Sequence, residues 1–197
     1  MMLIELTPVP AALLPLTELK DHLRLGTGFA DDAAQDSILE AYLRSAVAAI
    51  EARTDKALFS RDFVWKLTSW RGLQREELPI APVASIASVK IIEADGREIV
   101  IPPASYVLEP DAQAPTLAAK GLGLPTVPVA GRIEIAFTAG YGATWTALPP
   151  ALRQAVLILA AEFHEHRHET GSDAVLPTRV MQLIAPYRVM RLFGRRR

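Results

Sequence analysis

Residues 149–169 read PPALRQAVLILAAEFHEHRHE, and the interpretation of the whole chain starts from this segment. Proline is tolerated in the first turn of a helix, where its missing N–H has no partner to lose, so Pro149 and Pro150 predict a helix start. The apolar residues recur at the spacing of one helical face: Leu152, Ala155, Val156, Leu159 and Phe163. The segment therefore predicts a helix with one strongly apolar face.

Three more apolar residues of this helix, Leu157, Ile158 and Ala161, fall outside that face. A helix that is apolar on more than one side is buried between several elements of its own chain or covered in part by another chain. The sequence leaves both explanations open.

The end of the same segment turns polar, and His164-Glu165-His166-Arg167-His168 satisfies the H-E-x-x-H pattern of zinc hydrolases. In that pattern two histidines one turn apart bind zinc, and the glutamate acts as the general base. A third protein ligand is expected, but the chain after Glu169 offers only Asp173, and the remaining histidine is His22. The alternative is a set of cationic side chains at a helix C-terminus, where the helix dipole favours them.

Composition restricts the function classes. Half of the 197 residues are hydrophobic, which is enough for a core, and the net charge of −1 gives no general attraction to nucleic acid or to an acidic membrane. The chain has no cysteine, so disulfides, thiol nucleophiles and thiolate metal sites are excluded. No run approaches the roughly 20 apolar residues that span a bilayer, and the first residues do not resemble a signal peptide, so we expect a soluble protein.

The N-terminal third predicts an extended arm and two helices. Residues 1–15 are apolar and interrupted by prolines, which favours an extended arm. A short amphipathic helix is expected to follow, with Thr17 as its N-cap, and to end near Leu25. The second helix is expected over residues 31–54, with an apolar stripe that includes Ile38, Leu43 and Ile50.

From Phe59 onward the apolar period changes from that of a helix to that of a strand. Residues 85–92 and 97–101, joined by Asp95-Gly96, predict a hairpin. Further strands are expected at 106–108 and 132–137, and residues 110–131 are rich in alanine, proline and glycine and predict a long loop. Gly140-Tyr141-Gly142 and Gly121-Leu122-Gly123 lack the context of a phosphate loop and predict turns.

A final helix is expected from Pro177-Thr178, and Pro186 kinks or ends it. The order of elements predicts an α+β fold, in which two N-terminal and two C-terminal helices form a helical core that carries an inserted β-rich module. The predicted boundaries are 1–56 for the arm and first helices, 57–146 for the β-rich module, and 147–197 for the last helices and a basic tail. That tail, Arg195-Arg196-Arg197, is explained by contact with DNA or an acidic partner, or by solubility alone.

Four segments together resemble one protein family: LTELKDHLRL (16–25), the helix up to Thr54 with Asp55-Lys56-Ala57-Leu58, IAFTAGYG (135–142) and LPPALRQAV (148–156). In this order and spacing they resemble the head–tail connector, or adaptor, proteins of long-tailed phages, including the versions in gene transfer agents. The resemblance covers nearly the whole chain and extends to Ile184-Ala185-Pro186-Tyr187-Arg188.

The resemblance implies a non-enzymatic structural protein of a virion or phage-like particle, located in the head–tail neck and assembled in the host cytoplasm. It implies a ring of roughly a dozen copies that close head to tail beneath the portal protein and extend the DNA channel. The ring would also offer a docking surface to a tail-side stopper or tail-terminator protein. DNA would pass through the lumen without sequence-specific binding, and no cofactor, metal or membrane would be involved.

The resemblance also implies roles for particular residues. The C-terminal segment would bind the portal through Arg191, Leu192, Phe193, Arg195, Arg196 and Arg197. Neighbouring subunits around the ring would cover Leu157, Ile158 and Ala161. The alternative function, from a different class, is a zinc-dependent hydrolase that uses His164, Glu165 and His168.

Overall fold

The computed structural model describes residues 1–25, 33–166 and 176–188. These ranges contain four α-helices: α1 (Leu16–His22), α2 (Ala33–Thr54), α3 (Pro150–Glu165) and α4 (Thr178–Ile184). They also contain eight strands: β1 (Met2–Glu5), β2 (Arg61–Leu67), β3 (Arg75–Glu77), β4 (Val83–Ile92), β5 (Glu98–Val100), β6 (Tyr106–Glu109), β7 (Thr116–Ala119) and β8 (Arg132–Ala139). All paired strands are antiparallel, and β2 to β8 follow one another between α2 and α3, which confirms the predicted α+β class. None of the helices in the described ranges combines the length and the apolar run that a bilayer-spanning segment needs.

The chain divides into two compact units. The β unit comprises Met1–Val9 and Phe59–Ala143, and the helical unit comprises Pro10–Leu58 and Thr144–Arg197. The first nine residues therefore group with the strands, whereas the sequence assignment placed all of 1–56 with the helices. The cause is β1, which pairs with β2 from Met2↔Lys66 to Glu5↔Phe63.

The larger sheet of the β unit has the strand order β1-β2-β8-β4-β5. Its central strands place alternate apolar side chains on one face, and the rings of Phe63 and Phe137 stack there with centroids 5.8 Å apart. The predicted hairpin is present: β4 and β5 pair through Ile91↔Ile99, and Gly96 in the connection has a φ of +89°, which glycine adopts without strain.

The smaller sheet has the order β3-β7-β6 and was not expected from the sequence. Residues 110–131 were predicted to be a loop, but Thr116–Ala119 form β7 between its two partners. Residues 1–15 were predicted to be an extended arm, but Met2–Glu5 of this segment form a strand. These strands are three or four residues long, and pairing with distant segments, not local pattern, defines them.

In the helical unit, α3 packs against α1, α2 and α4. The buried stripe of α2 runs through Leu39, Leu43, Ala46, Val47 and Ile50, so the expectation that Ile38 belongs to it was wrong. At the start of α2 the buried position is Leu39 and not the predicted Ile38, which is exposed. Asp31 and Asp32, expected at the start of α2, lie outside the described residues.

Prolines mark the boundaries of the short helices α1 and α4. The N-cap of α1 is Pro15, not Thr17, which lies inside the helix and makes no capping hydrogen bond. The N-cap of α4 is Pro177, and α4 passes at Ala185 into a short 3₁₀ turn that contains Pro186. Proline cannot supply the N–H that a continuing helix needs, which explains this stop.

Gly140 is a position in the β unit where both the backbone conformation and the space around it require glycine. It follows β8 with a φ of +136°, and a Cβ built there would lie 2.3 Å from the carbonyl oxygen of Phe59. The close approach lets Phe59 pair with Gly142, and the N–H of Ser60 donates to the Gly142 carbonyl at 2.8 Å. The predicted turn at 140–142 is therefore present and tightly constrained.

We predict that Gly140→Ala lowers the free energy of unfolding by about 2–4 kcal/mol, because the substitution adds both backbone strain and a backbone clash. Chemical denaturation of the purified protein measures this. Gly121→Ala is the matched control, since a Cβ at Gly121 meets nothing within 4 Å and should change stability little. Equal stability of the two variants would contradict the constraint at Gly140.

Glu76 is a fully buried carboxyl group in β3. Its Oε2 accepts the backbone N–H of Arg71 at 2.6 Å, and the guanidinium Nε of Arg71 lies 3.8 Å from Oε1. Burial nevertheless dominates and raises the pKa of Glu76 above its ordinary value, because a desolvated carboxylate is disfavoured. The folded protein therefore binds this proton more tightly than the unfolded chain does.

This raised pKa gives a pH dependence with a defined sign. The stabilisation from the protonated Glu76 is complete below the ordinary pKa of 4.5 and is lost as the pH rises through the raised pKa of the folded state. We predict that Glu76→Gln removes this loss, so that the variant gains stability relative to the parent between pH 4.5 and neutrality. Urea titrations across that range test it, with the exposed Glu77→Gln as the control. A stability difference that stays constant with pH would contradict the raised pKa.

Candidate functional site

The surface of α3 is the candidate functional site, because this helix carries both the surplus apolar residues and the histidine cluster. Pro149 caps the helix and Pro150 occupies its first turn, as the sequence predicted. The residues that α3 buries are Leu152, Ala155, Val156, Leu159, Ala160 and Ala161. Three partner helices explain why so much of α3 is apolar without any second chain.

The three residues expected at a subunit interface differ in their exposure. Ala161 is only 8% exposed, so its own helical unit already covers it. Leu157 and Ile158 are half-buried and retain apolar surface that the described helices do not cover. Phe163, expected in the buried stripe, is also only half-buried. Among the described residues of α3, the partly exposed apolar side chains therefore include Leu157, Ile158 and Phe163.

The structure describes the first part of the histidine motif, from His164 to His166. The His164 ring packs edge-on against the ring of Tyr42 in α2, with centroids 6.1 Å apart, and His164 is half-buried. His168 and Asp173 lie outside the described residues. His164 therefore contributes to the packing of α3 against α2.

A different set of donor atoms does converge at this end of α3. One ligand atom each of Glu162, Glu165 and His166 lie within 4.8 Å of one another, and His166 Nδ1 is 3.3 Å from Glu162 Oε1. The set shares only Glu165 with the H-E-x-x-H pattern. Exposed groups of this kind are common in proteins that bind no metal, and this geometry alone assigns no chemistry.

The three tryptophans of the chain have structural roles. Trp65 lies in the core of the β unit, and the Trp70 indole N–H donates to the carbonyl of Pro125 at 2.8 Å. Trp145 is buried in the helical unit, where its indole N–H donates to the carboxylate of Glu18. An open cleft beside this pair is lined by residues 12–18 and 144–146, and it carries no cluster of catalytic side chains.

Comparison with solved structures decides the family. Over its entire length the chain matches the full length of a chain from the neck of an empty gene transfer agent particle, computed with C6 symmetry, with 50% sequence identity and a TM-score of 0.91. The chain belongs to the head–tail connector family of gene transfer agents.

Two further structures agree with this assignment. The connector chain shares 49% identity with a chain from the virion of a native gene transfer agent particle, covering 98% of each, with a TM-score of 0.87. It shares 45% identity with a chain from the neck of a native particle computed with C12 symmetry, covering 100% of each, with a TM-score of 0.85. No protein-family model and no curated protein sequence matches the chain.

The remaining residues predicted to be functional in the connector chain are in the basic tail. Arg191, Leu192, Phe193, Arg195, Arg196 and Arg197 lie outside the described residues. What sequence reasoning missed is the exposed apolar character of β1 and the residue after it: Met2 and Leu3 in the strand and Leu6 just beyond it face solvent. The signal was present in the Met-Met-Leu-Ile-Glu-Leu start, but alternation was too weak to indicate a strand there.

Proposed function

We propose that this chain is a structural protein of the particle neck, where about a dozen copies form a ring beneath the portal protein. The ring joins the DNA-filled head to the tail and extends the DNA channel. The observation that supports this most is the full-length match to a neck chain at 50% identity. The C6 and C12 symmetries of the related necks support a cyclic arrangement of repeated copies.

A cyclic ring needs two different surfaces on each copy, one for each neighbour. Leu157 and Ile158 on α3 supply part of one such surface, because a neighbour would remove their remaining apolar area from water. Ala161 lies one turn further along α3, and because its own subunit already covers it, we expect it to support Leu157 and Ile158 from within the subunit. The ring is held by many weak contacts that act together, so no single contact has to be strong.

The portal side of the ring is assigned to the C-terminal segment that includes Arg191, Leu192, Phe193, Arg195, Arg196 and Arg197. Guanidinium groups bind carboxylates in bidentate pairs, and an apolar pair beside them suits a groove on the portal protein. The opposite side of the ring meets a tail-side stopper or tail-terminator protein. DNA passes through the lumen without sequence-specific contacts.

The proposal involves no catalytic step, no metal and no cofactor. The zinc hydrolase alternative needs His164 and His168 on one face of a helix, with Glu165 between them as the base. The packing of His164 against Tyr42 gives that histidine a structural role instead. We therefore favour an assembly protein over an enzyme.

We predict that Ile158→Asp prevents incorporation of the chain into particles while the isolated protein stays folded. The half-buried position tolerates a charge in the free subunit, but a neighbour would bury that charge without a partner. Circular dichroism checks the fold, and immunodetection in purified particles measures incorporation. Gln182→Asp, which adds the same charge at an exposed position of α4, is the control. Normal incorporation of the Ile158 variant would show that this side chain belongs to the subunit's own core.

We also predict that purified particles contain close to one copy of this chain per portal subunit, and that deletion of residues 195–197 lowers this ratio. The deletion removes three cationic groups from the expected portal contact. Quantitative mass spectrometry of particles measures both ratios. Absence of the full-length chain from particles that contain portal and tail proteins would refute the proposed function, and an unchanged ratio after deletion would refute the role of the tail.

A further inference from the structure

The five-stranded sheet of the β unit has two open edges, β1 and β5. Among the described residues no strand pairs with the outer side of either. Edge strands usually carry charges or prolines that discourage further pairing. Here the exposed side chains at both edges are largely apolar: Met2 in β1 is 55% exposed and Val100 in β5 is 58% exposed, and Leu3 and Ile99 also face solvent. Such edges are suited to accept another strand.

The hydrogen-bond pattern shows which backbone groups are available. The N–H of Leu6 donates to the carbonyl of Asp62 at 2.8 Å. In the antiparallel ladder, the backbone N–H and C=O groups of the even-numbered residues of β1 therefore point toward β2. The backbone groups of Leu3 and Glu5 therefore point outward. At the other edge, the N–H of Ile101 donates to the carbonyl of Val89 at 2.9 Å. The backbone N–H and C=O groups of Glu98 and Val100 therefore point outward, away from β4.

The direction of the edge strands decides how they can meet. Because the sheet has five antiparallel strands, β1 and β5 run in the same direction. A many-membered ring relates neighbours by a small rotation, which preserves that direction, so β5 of one copy and β1 of the next would pair in parallel. Pairing of β1 with β1 in a two-fold dimer would instead be antiparallel and could not continue into a ring.

We propose that β5 of each copy pairs in parallel with β1 of the next copy, linking the β units around the ring. This inference rests on the proposed ring. The register that uses both strands fully places Leu3 opposite Ile99 and Ile4 opposite Val100. The N–H of Leu3 then donates to Glu98, the N–H of Val100 donates to Leu3, and the N–H of Glu5 donates to Val100. A shift by two residues would place Glu5 against Ile99, which disfavours it.

The charges at the two edges do not oppose this pairing. Glu5 lies 3.0 Å from the guanidinium Nε of Arg61, and Glu98 lies 2.9 Å from the ammonium group of Lys90. Each edge carboxylate is thus paired within its own chain. The apolar pairs Leu3–Ile99 and Ile4–Val100 meet between them, and cross-strand pairs of this kind stabilise a sheet.

Disulfide trapping in assembled particles tests the pairing. Because the chain has no native cysteine, any cross-link between copies of it must involve the introduced thiols. The double variant Ile4→Cys with Val100→Cys places two thiols on the same face at the junction, within the separation that a disulfide spans. After oxidation we expect a ladder of cross-linked species extending well beyond the dimer. The control pair Ile4→Cys with Ile99→Cys places the thiols on opposite faces and should give roughly tenfold less cross-linked product.

A second variant tests the backbone directly. Val100→Pro removes an outward N–H that the chain's own ladder does not use, so the free subunit should keep its fold while incorporation into particles falls. Val100→Ala keeps the N–H and should assemble more normally than the proline variant.

Three outcomes overturn the inference: no ladder from the same-face pair in particles that contain the chain, a ladder that stops at the dimer, or normal incorporation of Val100→Pro. Each leaves the ring itself standing, because particle composition reports the ring independently. Absence of the unmodified chain from particles would instead remove the proposed function on which the inference rests.

Discussion

The pairing of β2 with β8 is the constraint on which the fold depends. The two strands lie at opposite ends of the inserted segment, yet they pair continuously from Arg61↔Ala139 to Leu67↔Ile133. Phe59 and Gly142 meet just beyond them, so the insertion begins and ends at one point. Closing so long a loop costs conformational entropy, which strand pairing and burial of the sheet offset. The helical unit, built from residues 10–58 and 144–188, depends on that closure because α2 and α3 come from opposite sides of the insertion.

Packing around α3 completes the helical unit in the same way. A helix with neighbours on three sides can be apolar on most of its surface, and α3 uses small residues such as Ala155 and Ala160 where neighbours approach closely. Leu157, Ile158 and Phe163 are residues of α3 that this packing leaves half-buried. Their partial exposure is compatible with a stable free subunit and with the further burial that the proposed ring would bring.

The sequence predicted the elements whose signals are local. The proline start of α3, the Asp95-Gly96 hairpin and the helix end at Pro186 each depend on chemistry within a few residues. Pairing partners far along the chain determine β1, β3 and β7, so their short segments carried no clear pattern of their own. The offset between Ile38 and Leu39 arose because neighbouring helices, not periodicity alone, select the buried face of α2. Spacing alone also could not predict the contact between the rings of His164 and Tyr42, which involves the first residue of the H-E-x-x-H pattern. Family resemblance supplied what periodicity could not, namely that the chain is a neck protein.

The brevity of the edge strands also bears on the protein before it assembles. β1 has four residues and β5 has three, so two free subunits that meet by chance gain only a few backbone hydrogen bonds. A longer apolar edge would pair indiscriminately and promote aggregation during synthesis. Edges this short would bind weakly between two free subunits, and in the proposed ring they would hold only where many copies are brought together at once.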